Sequence, residues 1–229
     1  SSANDNIGGN LAISSSGDFY AVISSNWDNG ALADAGAVTV GNSMTGITGA
    51  VSSSISLVGS SANDRIGSGS TAPINNNVVV LSPLWDNGSA TDAGAVTWIN
   101  SAAVTTGAIS SSNSLIGSVS GDNVGNSGMS FTNITNPHYI IRSPNWDNAA
   151  TSNAGAVTFG NGSSGVYGII TSCNSVPGLI TAGGSTLVST FNNIYEYMLV
   201  GKRQENLVVI YNPTGIVCAN HLDIASVNI

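Results

Sequence analysis

Three Trp-Asp-Asn triplets, Trp27-Asp28-Asn29, Trp85-Asp86-Asn87 and Trp146-Asp147-Asn148, put an indole, a carboxylate and an amide side by side three times in one chain. An aromatic face can stack on a sugar ring, and the neighbouring oxygens can bind its hydroxyls or a hard cation. A marker of the form Asp-x-Ile/Val-Gly precedes each triplet, and an Ala-Gly-Ala-Val-Thr run follows each. These stretches hold Asp5, Asp28, Asp34, Asp64, Asp86, Asp92, Asp122 and Asp147, most of the chain's twelve acids. One reading is a ligand or cation face. The other is turn chemistry: Asp and Asn bond their own backbone two residues on and tolerate left-handed conformations. Each Trp is then a wedge between copies, its N–H satisfied locally. Repetition favours the second reading, because a residue required by every copy serves the architecture of the copy.

Other catalytic constellations are thin. His138 lies in an exposed Asn-Pro-His-Tyr hairpin and His221 near the end of the chain, and neither has a repeated Ser, Asp or Cys partner. Serine is so abundant that Ser-His-Asp combinations arise by chance. Glu196 and Glu205 are the only glutamates and flank Lys202 and Arg203. A carboxylate pair can hydrolyse glycosides at the right separation, but a solvated Gly-Lys-Arg-Gln-Glu-Asn-Leu hairpin is the commoner explanation. Cys173 and Cys218 are either two free thiols or one disulfide, and no spacing suggests zinc. The sequons at Asn87, Asn133 and Asn161 carry little weight in a chain so rich in Asn.

Charge narrows the function classes. Only 7% of residues are charged, the net charge is −8, and the fixed cations are Arg65, Arg142, Lys202 and Arg203. Phosphate neutralisation needs clustered cations, so nucleic-acid binding is not expected. No apolar run approaches membrane-spanning length. The Ser/Thr/Asn/Gly-rich composition and the Ser1 start point to a processed or excised extracellular product.

The elements that must position these residues follow from the repeat. The triplets recur at intervals of 58 and 61 residues. Thr48, Thr106 and Tyr167 begin a third marker, Thr-Gly-Ala-Val-Ser-Ser-Ser in its first copy. Four tandem copies are expected at about 1–59, 60–117, 118–177 and 178–229, forming one domain whose last copy is divergent. In the second copy the strand-forming runs lie around 67–72, 78–82, 94–99 and 107–115, bounded by Asn, Gly, Asp and Pro. No segment has a capped helical period. The fold class is all-β, a propeller-like array of four tandem four-stranded antiparallel blades, with a β-solenoid as the alternative. Gly36, Gly94 and Gly155 permit a bulge or a close strand approach.

The stretches "DRIGSGS", "VVVLSPLWDNG" and "DAGAVTW" resemble the FG-GAP repeat of integrin-α-type β-propellers. They are more similar still to the WDNG/AGAVT repeats of very large bacterial surface exoproteins. The resemblance implies blade architecture and a bacterial cell-surface or secreted setting. It also implies calcium-binding hairpins between the first two strands, but this chain has "SSSGDFY", "APINNN" and "TNITNPH" there, with Asp18 the single acid. No cofactor is therefore expected. The function expected is a non-enzymatic structural or adhesive module that self-associates or binds other surface proteins. A carbohydrate-binding lectin using the triplets is the alternative, and a hydrolase a weaker one.

Overall fold

The computed structural model describes residues 4–132 and 137–212. Among these there is no α-helix, and the strands fall into four successive units. The first holds β1 (Asn10–Ile13), β2 (Phe19–Ser24), β3 (Ala37–Asn42) and β4 (Leu57–Val58). The second holds β5 (Thr71–Ile74), β6 (Asn77–Ser82), β7 (Ala95–Ile99), β8 (Gly107–Ala108) and β9 (Ser114–Ile116). The third holds β10 (Met129–Phe131), β11 (Tyr139–Ser143), β12 (Ala156–Gly160), β13 (Gly168–Ile169) and β14 (Ser175–Pro177). The fourth holds β15 (Leu187–Asn192), β16 (Tyr197–Lys202) and β17 (Leu207–Tyr211).

Each unit is an antiparallel meander, and the central strands are short, nearly continuous apolar runs such as Val78-Val79-Val80-Leu81. Such runs suit strands covered on both faces. The sheets are not four uniform four-stranded blades. They have five, five, four and three strands among the described residues. The run read as one strand over 107–115 splits. Ser114 N–H returns to Ser110 O, and Asn113 Oδ1 accepts Ser110 N–H, closing a turn in the middle of it. Its first half, β8, leaves its own unit and adds in parallel to β4 of the unit before. β13 adds to β9 in the same way. A one-strand exchange therefore links consecutive sheets.

Alternation gives every sheet two apolar faces. We call the face toward the preceding unit the near face and the opposite one the far face. Ala21, Ile23, Val38 and Val40 on the far face of unit 1 pack against Val78, Val80, Ala95 and Ile99 on the near face of unit 2. Val79, Leu81, Val96 and Trp98 meet Tyr139, Ile141 and Ala156 of unit 3. Ile140, Val157, Phe159 and Val176 meet Met198, Val200, Val209 and Tyr211 of unit 4. Every one of these residues is at most 8% exposed. Volume is conserved at one recurring pair. Tyr20 faces Gly41 and Tyr139 faces Gly160, each ring covering the glycine where a Cβ would collide, whereas unit 2 pairs Val78 with Ile99.

Candidate functional site

The repeated polar residues assemble into joints, each built the same way. The Asp of the marker is buried: Asp5, Asp64 and Asp122 are 3%, 0% and 0% exposed. Their Oδ1 atoms accept the N–H of Asp28, Asp86 and Asp147 at 3.2, 2.9 and 2.9 Å. The Oδ2 of Asp64 also accepts Ser60 and Ser61 N–H at 2.7 and 2.8 Å, and that of Asp122 accepts Ser118 and Val119 N–H at 2.8 and 2.9 Å. Burial raises both carboxyl pKa values above the ordinary value, against the lowering effect of those three N–H groups; the charge of Asp86 or Asp147 adds a smaller upward push.

Triplet residues complete the joint. Asp28, Asp86 and Asp147 each accept, through Oδ1, the N–H six residues on, at 2.9, 2.8 and 2.7 Å. The amides of Asn29, Asn87 and Asn148 donate to the carbonyls of Gly59, Gly117 and Gly178 at 2.9, 3.0 and 3.0 Å. Asn and Asp side chains thus replace ladder partners where the chain leaves the sheet. Trp27, Trp85 and Trp146 are 7%, 3% and 6% exposed. They offer no open ring face for stacking. The indole N–H groups of Trp85 and Trp146 have no protein acceptor, so local satisfaction of the N–H is not found there.

Backbone bonds then lock one unit to the next. The N–H groups of Asn63, Arg65 and Ile66 donate to the carbonyls of Ala33, Asp34 and Ala35. Those of Asn123 and Val124 donate to Asp92 and Ala93, and that of Gly184 to Asn153. Gly36, Gly94 and Gly155 sit at φ of +77°, +76° and +77° under these crossings. A Cβ there would lie 2.2 Å from Ile66 N, 2.2 Å from Val124 N and 2.4 Å from Gly184 Cα. The close approach expected of these glycines is therefore between units. At the first joint the Arg65 guanidinium also pairs with Asp34 at 2.9 Å, both side chains partly exposed. At the second joint Asn123 replaces the arginine, and burial and the Asp86 charge leave the Asp92 carboxyl with a raised pKa.

The third joint lacks the marker Asp, since Gly183 stands in its place. Glu205, from the fourth unit, supplies the substitute: its Oε1 accepts Leu179 N–H at 2.7 Å, at the position equivalent to Ser60 and Ser118. Its Oε2 pairs with Lys202, which is only 4% exposed. The hairpin expected to be solvated does expose Arg203, Gln204 and Asn206, but it also holds this ion pair, in which Glu205 takes one of the N–H groups that the marker Asp binds at the other joints. Sequence reading missed it because the substitute comes from a different loop. The isolated Lys-x-x-Glu spacing in the copy that lost its Asp was the available signal.

His138 is half-buried, not exposed. It packs on Phe159 and Phe191, with ring centroids 4.9 and 6.5 Å away, between the third and fourth units. Its Nδ1 accepts Gly162 N–H at 3.2 Å. Burial lowers its pKa, partly offset by Glu196. Cys173 is half-buried in the turn after β13. Cys218, His221 and the Asn133 sequon lie outside the described residues. Asn87, the first sequon, already uses its amide in the joint.

Each triplet joins its own unit, and no site in which all three converge is found. Among the described residues no group of three or more His, Cys, Asp or Glu is arranged to hold a metal. An open groove of about 460 Å³ at the first joint is lined by Asn, Ser, Gly and Ile side chains, including Asn6, Ile7, Asn10 and Asn26, with no charged group among them. It provides neither an acid–base pair nor an ionic anchor.

This architecture defines an all-β tandem-repeat protein. A family model for a repeat of unknown function, DUF5650, matches residues 14–68, 73–126 and 133–184, and the chain belongs to that repeat family. Each matched unit ends on the segment that locks onto the preceding Ala-Gly loop, so the family unit includes a whole joint. No curated protein matches the chain.

Proposed function

We propose that this chain is a non-enzymatic structural or adhesive repeat module of a bacterial surface or secreted protein, with its units arranged as FG-GAP-like propeller blades. One observation carries the functional reading. The repeated carboxylates and amides make hydrogen bonds within and between units, and the repeated indoles are buried beside them. Side chains held this way fix geometry, and the buried indoles leave no ring face open for stacking on a ligand. The blade reading is supported by meander sheets that pack face to face through two apolar faces. The extracellular setting is supported by the composition, in which hydroxyls and amides replace charge.

The test is a titration of intrinsic Trp fluorescence with a panel of glycans and with calcium, run on the wild type and on Trp85→Phe. No saturable change is expected from any of them, and Trp85→Phe should lower the thermal midpoint without altering that silence. A saturable, Trp85-dependent shift with one glycan class would replace the module reading with a lectin. A saturable shift with calcium would show a cation site in a joint.

A further inference from the structure

Among the described residues, no unit packs on the near face of the first unit. In units 2 and 3 that face is buried: Val78, Val80, Tyr139 and Ile141 are at most 2% exposed. Register places their counterparts in unit 1 at Tyr20 and Val22, flanked by Ile13 and Leu11 on the adjoining strand. Tyr20 and Val22 are half-buried, and Leu11 and Ile13 are 67% and 61% exposed. The interior part of this face persists as a small separate cluster of Trp27, Ala37 and Val58 with Val51. It is half of an interface seen complete at the three joints that follow.

The exchanged strand tells the same story. Gly107–Ala108 and Gly168–Ile169 add to the sheet of the preceding unit. The equivalent Gly49 and Ala50 belong to no sheet and are exposed, and Ile47 beside them is 36% exposed. At the other end, the far face of unit 4 is equally apolar. The row Val188, Leu199, Val208 and Ile210 shares one side of its sheet. Val188 is 45% exposed and the other three are half-buried, whereas the counterparts of Leu199 in units 1 to 3, Ala21, Val79 and Ile140, are at most 3% exposed. None of these eight positions carries a charge, the usual device that blocks edge and face association.

We propose that the near face of unit 1 docks the far face of unit 4 of a second copy of this chain. The contact continues the unit-to-unit interface already present three times within the chain. It is heterologous, so it either closes a ring or extends as a filament. The proposal rests on the structural-module reading and names that module's partner.

The experiment uses light scattering across a concentration series on the wild type, Leu11→Glu/Ile13→Glu and Val188→Glu. All three substitutions fall on exposed side chains, and circular dichroism with thermal melts checks that each variant folds. The wild type should exceed the 22.9 kDa of one chain, growing with concentration. Each variant alone should remain at one chain mass, because each keeps only one of the two faces. An equimolar mixture of the variants should give a two-chain species and nothing larger. A wild type at one chain mass throughout overturns the second copy as occupant. Assembly that persists in either variant, or a mixture that stays monomeric, overturns the assigned faces. Neither of these outcomes alters the glycan titration, so failure here is distinguishable from failure of the module reading.

Discussion

At the scale of single residues, the hairpin after each triplet shows how closely chemistry tracks backbone. Asn29 and Leu32 exchange two backbone hydrogen bonds across it, as do Asn87 with Ala90 and Asn148 with Thr151. Its first turn residue has φ of +65° at Gly30 and +63° at Gly88, but +53° at Ala149. A left-handed non-glycine residue costs about 1–2 kcal/mol, and the extra chain entropy of glycine offsets about half of that. Ala149→Gly should therefore stabilise the protein by about 0.5–1 kcal/mol, read as a higher denaturant midpoint at unchanged slope. A drop in midpoint would mean that the Ala149 methyl has a packing role.

At the scale of the joint, the marker Asp is the keystone. Asp64 has two carboxylate oxygens facing three N–H donors, and an amide offers only one acceptor. Asp64→Asn would leave its NH₂ against either Asp86 N–H or the Ser60 and Ser61 N–H pair. An unsatisfied buried donor costs about 1–3 kcal/mol, so this isosteric change should destabilise by that amount at pH 7. Urea unfolding measures it, and a loss below about 0.3 kcal/mol would refute the keystone role. At the last copy Glu205, paired with Lys202 in its own hairpin, accepts Leu179 N–H beside the gap left at Gly183.

For the whole molecule, the relevant variable is proton linkage. Asp64, Asp92 and Asp122 have raised pKa values, chiefly from burial. The folded state then binds protons more tightly than the unfolded one, so these groups add stability as pH falls toward 3.8 and lose it as pH rises through their folded values. His138 has a lowered pKa and acts oppositely: its contribution is full above 6.5 and fades as pH falls below that. In His138→Phe the thermal midpoint should therefore rise as pH falls through the raised carboxyl values toward 3.8. The wild type should fall progressively below that trend from pH 6.5 downward. Parallel curves for the two proteins would exclude His138 from the linkage.

Much of this protein can be read directly from its residues. The 58- and 61-residue intervals, the Val-rich runs and the Asn/Gly/Asp boundaries determine tandem all-β units, since β-branched runs between turn formers have few other options. The turn role of Asp28, Asp86 and Asp147 is equally local, because each bonds a backbone group six residues away. The close approach at Gly94 is legible in outline, since only glycine permits it. What lies between units is not legible. That β8 and β13 join the preceding sheet, that Glu205 replaces a missing Asp, and that His138 is clamped between Phe159 and Phe191 all depend on contacts across tens of residues. No local propensity encodes such contacts; they appear only when one unit's apolar face is laid on the next, and among the described residues that packing leaves Leu11 and Ile13 exposed and Tyr20 and Val22 half-covered.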